Sequence, residues 1–277
     1  MTTTAPAPAR PQNRVPRVQV SPVTQRRVIS SEWAKFTTLR STWVTLAVAL
    51  LGMIAVGALA SWAIDAHWSH MHPDDRASFS PITQSLTGVY LAQLAIGVLG
   101  VLVISGEYAT GMIRATLSAA PRRLLVLWAK LTVFSVVTFV LMLVGALVSF
   151  FLGQALLHSH GTTLGAHEAL QAVVGVALYL TVVGALGVAI GFCVRSTAGG
   201  IATLFGVLLV LPTIGHVLPA SWQTHILPYL PSNAGGALYS LHPDPGTLAP
   251  WAGFGVMCCW MVAAVVAAVV LLRRRDA

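Results

Sequence analysis

Residues 131–152 read LTVFSVVTFVLMLVGALVSFFL and contain no Asp, Glu, Lys, Arg or His. An α-helix of this length is long enough to cross a hydrocarbon core of about 30 Å. Five further apolar stretches of similar length lie near 43–64, 86–104, 172–194, 199–218 and 251–272. The pattern predicts an all-α integral membrane protein with six transmembrane helices.

The composition agrees with a membrane-embedded chain. Of the 277 residues, 56% are hydrophobic and 9% are charged, and the mean hydropathy is +0.78. Soluble domains carry about 25% charged residues, so a water-soluble enzyme or a simple nucleic-acid-binding domain is excluded. The three cysteines, Cys193, Cys258 and Cys259, fall in or beside apolar runs. We interpret them as thiols packed within the membrane and not as a disulfide framework or a zinc site.

The positive charges predict the orientation of the chain. Fifteen of the 16 Lys and Arg residues lie before span 1, after span 6 or in the loops after spans 2 and 4, and only Arg76 lies in an opposite loop. Basic residues accumulate on the cytoplasmic side of membrane helices. Both termini are therefore expected in the cytosol, and the net charge of +8 needs no nucleic-acid partner to explain it.

The chain before span 1 divides into two segments. Residues 1–20 are rich in Pro, Ala, Thr and Arg and are predicted to be a disordered cytosolic tail. Residues 21–42 predict an amphipathic helix in the headgroup region, with Trp33 and Phe36 on its apolar side and Lys35 and Arg40 toward lipid phosphate. The alternative is an ordinary charged flank of span 1. Residues 43–277 form the six-span domain.

Two connections differ from simple loops. Between spans 2 and 3, Gly111 can bend the chain, and Ile113 and Leu117 share one face of a short cytosolic helix that ends before Pro121. Such an element suits force transmission to a soluble partner, although a plain basic loop is the alternative. Before span 6, residues 221–250 are too apolar for a free loop and too rich in Pro and Gly for a span, which predicts a re-entrant outer segment.

Three motifs together resemble the membrane-spanning permease subunits of type-2 ATP-binding cassette (ABC) exporters, over about residues 24–272. The first is Glu107-Tyr108-x-x-Gly111-Met112-Ile113-Arg114-x-x-Leu117, which is similar to the family's coupling segment after span 2. The second is Glu32-Trp33-x-Lys35-x-x-Thr38-Leu39-Arg40, similar to its N-terminal helix, and the third is Leu230-Pro231-Ser232-Asn233-Ala234.

The resemblance implies a permease domain at 43–277 that associates with a second permease subunit, identical or different, and with two ATP-binding subunits. The residues implied in ATPase coupling are Glu107, Gly111, Met112, Ile113, Arg114 and Leu117. This chain has only two lysines, Lys35 and Lys130, and neither lies in a GxxxxGK[ST] phosphate loop. The chain is therefore expected not to be an enzyme and to hold no cofactor, with ATP and Mg bound by the partner. The implied role is export of an amphipathic drug, antibiotic, peptide or lipid-like compound across a prokaryotic cytoplasmic membrane.

Other residues leave alternatives open. His67, His70 and His72 precede Asp74 and Asp75 and are candidate metal ligands. They equally fit polar loop residues that bind no metal, or residues that respond to pH on the outer side of the membrane. A permease for metal-site assembly, a membrane-embedded metalloenzyme and a non-transporting scaffold are the competing functions. The absence of ionisable residues from the middle of the predicted spans argues against a proton- or sodium-coupled carrier.

Two sets of residues within the spans have competing interpretations. Gly184, Gly187 and Gly191 share one face of span 4 and favour close helix packing inside the subunit over a dimer interface. For Gln93 in span 2, an interhelical hydrogen bond is favoured over contact with substrate.

Overall fold

The computed structural model describes residues 24–113, 116, 123–166, 168–215, 217, 219–240 and 246–274. Within these residues the chain is helical and has no strand. Six helices are long and apolar enough to cross a membrane. The prediction of an all-α integral membrane protein with six spans is confirmed.

The helices follow the order that the apolar stretches predict. The spans, numbered 1 to 6, are Arg40–His67, Val89–Ala109, Arg123–Leu156, Ala169–Val194, Thr197–Gly215 and Pro250–Arg274. An N-terminal helix, Gln25–Thr38, precedes them, and Pro73–Ala77 and Pro81–Ser85 lie between spans 1 and 2. Ala220–His225, Leu227–Tyr229 and Pro231–Gly236 lie between spans 5 and 6.

The N-terminal helix is separated from span 1 by a single extended residue. Leu39 has φ −78° and ψ 109°, so the helix stops at Thr38 and span 1 starts at Arg40. The indole Nε1 of Trp43 donates a hydrogen bond to the carbonyl of Thr37 over 2.9 Å, which bridges the break. The sequence pattern predicted one helix over residues 21–42, and the structure instead interrupts that range at Leu39.

Span 4 is the centre of the bundle. Its most apolar window is 83% buried, against 22–56% for the other spans. Spans 2 and 4 approach closely because glycines face each other: a Cβ added at Gly187 would lie 2.6 Å from the carbonyl oxygen of Gly97, and one at Gly100 would clash with the carbonyl of Gly184. The predicted packing of the span 4 glycines inside the subunit is confirmed.

The second half of span 5 contains a π-helical turn. Residues Gly206–Val210 are π-helical and are followed by Leu211–Gly215, which contains Pro212. A proline lacks the N–H that an α-helix needs and its ring clashes with the carbonyl four residues earlier. The wider turn just before Pro212 accommodates this conflict, so the helix continues through the proline with a π-turn.

The chain between spans 5 and 6 folds back onto the bundle. The indole of Trp260 in span 6 donates a hydrogen bond to the carbonyl of Tyr229 over 3.0 Å, and Asn233 donates one to the carbonyl of Leu227. Gly235 lies directly against Tyr179 and Met257, where a Cβ would clash with both side chains. Short helices broken by prolines are thus anchored on spans 4 and 6, and their predicted re-entry into the membrane remains a prediction.

Candidate functional site

Four charged side chains from three helices meet at one end of the bundle. Glu32 and Lys35 come from the N-terminal helix, Glu107 from the end of span 2 and Lys130 from span 3. We call this cluster the charge ring, because each lysine contacts both glutamates. The Lys130 ammonium lies 2.6 Å from Glu32 and 2.8 Å from Glu107, and that of Lys35 lies 2.8 Å and 3.1 Å from the same two carboxylates.

The charge ring is largely shielded from solvent. The side chains of Lys130, Glu32 and Glu107 are 3%, 4% and 10% exposed, and that of Lys35 is 29% exposed. Burying an unpaired charge costs several kcal/mol, and only close opposite charges with good hydrogen bonds offset that cost. Two carboxylates and two ammonium groups give the ring no net charge. It therefore fixes the relative positions of three helices as long as all four members are present.

The environment of Lys35 keeps its ammonium protonated. Burial by itself lowers the pKa of Lys35, but the hydrogen bond to Glu32 and the negative charges of Glu32 and Glu107 outweigh it, and the pKa lies above its ordinary value. The amphipathic pattern of residues 21–42 predicted this side chain toward lipid phosphate. The structure corrects that interpretation, because Lys35 turns inward to the carboxylates.

The charge ring also holds the chain that leaves span 2. The Lys35 ammonium donates a hydrogen bond to the hydroxyl of Thr116 over 3.2 Å. Between the ring and Thr116 the backbone turns at Gly111, which has φ +70°. This left-handed backbone conformation is unfavourable for residues that have a Cβ and therefore favours glycine. The bend predicted at Gly111 is confirmed, and it brings Thr116 back to the charge ring.

The two apolar residues after Gly111 have opposite environments. Ile113 is 3% exposed and packs in the core of the chain itself, whereas Met112 is 51% exposed. The pattern predicted that Ile113 faces a partner. The structure assigns the exposed apolar position to Met112, since a helical turn that leaves span 2 through Gly111 rotates Ile113 inward. The other two predicted coupling residues, Arg114 and Leu117, lie outside the described residues.

The remaining residues predicted in the N-terminal helix divide between two faces. Trp33 is 50% exposed and Arg40 is exposed, which fits contact with lipid or headgroups. Phe36 is buried and its ring packs edge-on against that of Phe134 in span 3, with centroids 6.3 Å apart. One side of the helix is therefore attached to span 3, and the other is available to the membrane surface.

Glu32 and Lys130 are the members of the site that the sequence analysis did not single out. Glu107 was implied only in ATPase coupling, and the structure shows that it binds both lysines. Their rarity could have drawn attention to them, because the chain has eight acidic residues and only two lysines. Lys130 was placed at the water-exposed start of span 3, but the helix begins seven residues earlier and carries Lys130 into the bundle.

The outer histidines do not assemble the predicted cluster. Nδ1 of His67 lies 2.9 Å from the carbonyl of Ala63. Instead, His158 and His160 face Asp65, with Nδ1 atoms 3.3 Å and 3.4 Å from its carboxylate. Among the residues that the structure describes, no three His, Cys, Asp or Glu are arranged to hold a metal ion. His67, His70 and His72 therefore gain no ligand geometry from the fold.

Gln93 forms the hydrogen bond that was favoured for it. Its side-chain oxygen accepts from the hydroxyl of Tyr179, which joins spans 2 and 4. Both residues also border a cavity of about 590 Å³ at the end of span 2 opposite the charge ring, which we call the outer cavity after the predicted orientation. A second cleft, of about 450 Å³, lies beside the charge ring between the N-terminal helix and spans 1 and 2.

The model of one protein family matches most of the chain. The family described as ABC-2 family transporter protein has a model that matches residues 28–218, which include most of the N-terminal helix and spans 1 to 5. The match includes all four members of the charge ring. A comparison with curated proteins gave no match.

Proposed function

This chain belongs to the ABC-2 transporter family, and we propose that it is the pore-forming permease of an ATP-driven exporter. Membership makes it a multi-pass permease subunit of an ABC transporter, which is a transport component and not a nucleotide-hydrolysing one. The proposed cargo is an amphipathic drug, antibiotic, peptide or lipid-like compound, moved outward. The competing metal-related functions have no ligand cluster among the described residues to support them.

The charge ring is the observation that carries the proposal. A permease that uses ATP hydrolysed elsewhere needs a stiff connection between its cytosolic surface and its spans. The ring joins the N-terminal helix, span 2 and span 3 through four short ion contacts, and Thr116 ties the cytosolic segment to it. A push on that segment is thereby delivered to two spans at once.

The partners follow from this role. The family implies an ATP-binding subunit; we propose two copies, which hold ATP and Mg, beneath a pore made with a second permease that is identical or different. The excess of basic residues on one side supports cytosolic termini in the cytoplasmic membrane of a prokaryote. Met112, at 51% exposure, is the proposed apolar contact with the ATP-binding subunit.

Co-purification with the ATP-binding subunit tests the coupling surface. Met112→Asp places a charge in the proposed apolar interface, where loss of a central anchor typically costs about 2 kcal/mol or more. We expect at least a tenfold loss of bound partner. Ala34→Asp, at an exposed position of the N-terminal helix, is the control and should retain it.

A second variant separates binding from coupling. Glu107→Gln removes one carboxylate from the charge ring but leaves the exposed surface intact. The complex should still form, while stimulation of ATP hydrolysis by transported compounds should fall. If Met112→Asp binds the partner normally and Glu107→Gln is stimulated like the wild type, this end of the bundle does not couple hydrolysis to transport.

A further inference from the structure

The outer cavity is built from four parts of the chain. Tyr90 and Gln93 come from the start of span 2, Tyr179 from span 4, and Leu208 from the π-helical turn of span 5. Tyr239, which follows the short helix Pro231–Gly236, also lines it. Its volume of about 590 Å³ is typical of sites that enclose small molecules.

Aromatic and amide groups form the floor of the cavity. Gln93, Tyr179 and Tyr239 are 4%, 1% and 5% exposed. The rings of Tyr179 and Tyr239 meet edge-on with centroids 5.3 Å apart, and the Tyr179 hydroxyl is fixed by its hydrogen bond to Gln93. Tyrosines provide apolar area together with a hydroxyl that can bind a polar group. The floor is therefore rigid and suits a molecule with both ring surface and hydrogen-bonding groups.

One polar group of the wall has no partner. The hydroxyl oxygen of Ser232 is buried and makes no hydrogen bond among the described residues, and Ser232 lines the cavity. A buried polar group without a partner costs free energy that a ligand can recover by bonding to it. The neighbouring π-turn points the same way, since such turns frequently occur at functional sites.

The described lining of the cavity is uncharged. None of its described residues is Asp, Glu, Lys, Arg or His. Burial, together with the neighbouring Tyr179 and Tyr90, raises the pKa of the Tyr239 phenol well above its ordinary value, so this group stays neutral. A buried ion without a partner is strongly disfavoured in such surroundings, whereas a neutral molecule loses nothing comparable on entry.

We propose that the outer cavity binds an uncharged, ring-bearing molecule with hydroxyl or carbonyl groups, and that this is the substrate class of the exporter. Only the role of this molecule as a transported substrate rests on the proposed function. Binding in the cavity does not, because the cavity lies within one subunit and its chemistry is independent of ATP. Tyr179 and Tyr239 contact the ring system, and the Tyr239 hydroxyl, Gln93 and Ser232 bind its polar groups.

Two probes that differ in one charge test the class of ligand. Equilibrium dialysis of 4-methylumbelliferyl β-glucoside and 4-methylumbelliferyl β-glucuronide against the permease–ATPase complex in nanodiscs compares a neutral molecule with its carboxylate analogue. We expect saturable binding of the glucoside at one site per chain, at least about tenfold tighter than binding of the glucuronide. Equal affinity for the two probes, or no saturable glucoside binding, would overturn the proposal.

Two variants locate the bound probe. Gly236 lines the cavity, and a Cβ there meets only the Tyr239 side chain at an ordinary distance of 3.6 Å. Gly236→Leu should therefore fill the cavity and weaken glucoside binding at least tenfold, while Gly255→Leu, in open space on span 6, should leave it unchanged. Tyr239→Phe should weaken binding about three- to tenfold, the effect of one hydrogen bond. Tyr229→Phe, outside the cavity, is its control.

Binding and ATP hydrolysis measured together separate this inference from the proposed function. If Gly236→Leu weakens glucoside binding and the glucoside stimulates ATP hydrolysis, the result supports both the binding site and the exporter function. Glucoside that binds there without affecting hydrolysis supports the site and removes its role as a substrate site. If another compound stimulates hydrolysis while glucoside binding is unaffected by Gly236→Leu and Tyr239→Phe, the cavity assignment is wrong and the exporter remains.

Discussion

Replacing Lys130 with methionine is the most direct test of what the charge ring does. Methionine has a similar length and suits an apolar site, so Lys130→Met removes the charge with little change of shape. The substitution leaves the Oε2 atom of Glu32 without its contact at 2.6 Å and leaves Glu107 with Lys35 alone. The ring then carries a net negative charge among helices that exclude water.

The size of the effect follows from the burial of the ring. The side chain of Lys130 is 3% exposed, and its two carboxylate partners are 4% and 10% exposed. Removing one member of a buried ion pair typically destabilises a protein by about 3–5 kcal/mol, because the partner charge stays buried without compensation. We expect Lys130→Met to fall in that range. Arg40→Met, at an exposed position, should change stability by less than about 0.5 kcal/mol.

A double-mutant cycle identifies the cause of the loss. The free energy of unfolding of the purified permease is measured in mixed detergent micelles at increasing SDS for Lys130→Met, Glu32→Gln and the double variant. Glu32→Gln restores neutrality in the double variant, so its stability should exceed that of Lys130→Met by about 1 kcal/mol or more. A Lys130→Met protein as stable as the wild type, or strictly additive effects of the two changes, would refute the role assigned to the ring.

Three further predictions concern the pH range, the core and the orientation. The raised pKa of Lys35 means that its stabilising charge is fully present below the ordinary value of 10.5 and is lost only as pH rises through the higher folded value. The difference in thermal stability between wild type and Lys35→Met should thus stay constant from about pH 6 to 9 and shrink as pH rises from 10.5 through the raised pKa. Gly187→Val should destabilise the bundle by at least about 1–3 kcal/mol in SDS unfolding, because an added Cβ would lie 2.6 Å from the Gly97 carbonyl oxygen. A variant as stable as the wild type would exclude close packing of spans 2 and 4. A single cysteine at position 72 should react with an impermeant maleimide in intact cells and one at position 33 should not, and the reverse result would invert the proposed topology.

The six spans could be predicted from sequence because the signal is long and one-dimensional. Twenty apolar residues in succession have few alternatives to a membrane helix. The glycine face of span 4 and the hydrogen bond of Gln93 were also accessible, because each depends on residue size or polarity within one helix. These features need no knowledge of which helix lies opposite.

The charge ring could not be derived in the same way, because its members are separated by up to 98 residues. Glu32 and Lys35 form a local pair at helical spacing, but nothing in the chain indicates that Glu107 and Lys130 complete it. The start of span 3 was the decisive error. A boundary drawn at the first apolar residue leaves Lys130 in water, whereas the actual helix begins at Arg123 and buries it. Helix ends are the part of a helix that sequence patterns locate least reliably.

Span 2 physically connects the two ends of the proposed mechanism. It carries Glu107 of the charge ring near its last turn and Gln93 of the cavity floor 14 residues earlier, a distance of about 20 Å along the helix. Between them, Gly97 and Gly100 lie in direct contact with span 4, which leaves no room for one helix to bend independently of the other. A displacement of the ring must therefore move spans 2 and 4 together, and Tyr179 with them. The π-turn of span 5 forms the opposite wall of the cavity and is the less regular of the two, so relative motion at the cavity should be concentrated between that wall and the rigid pair.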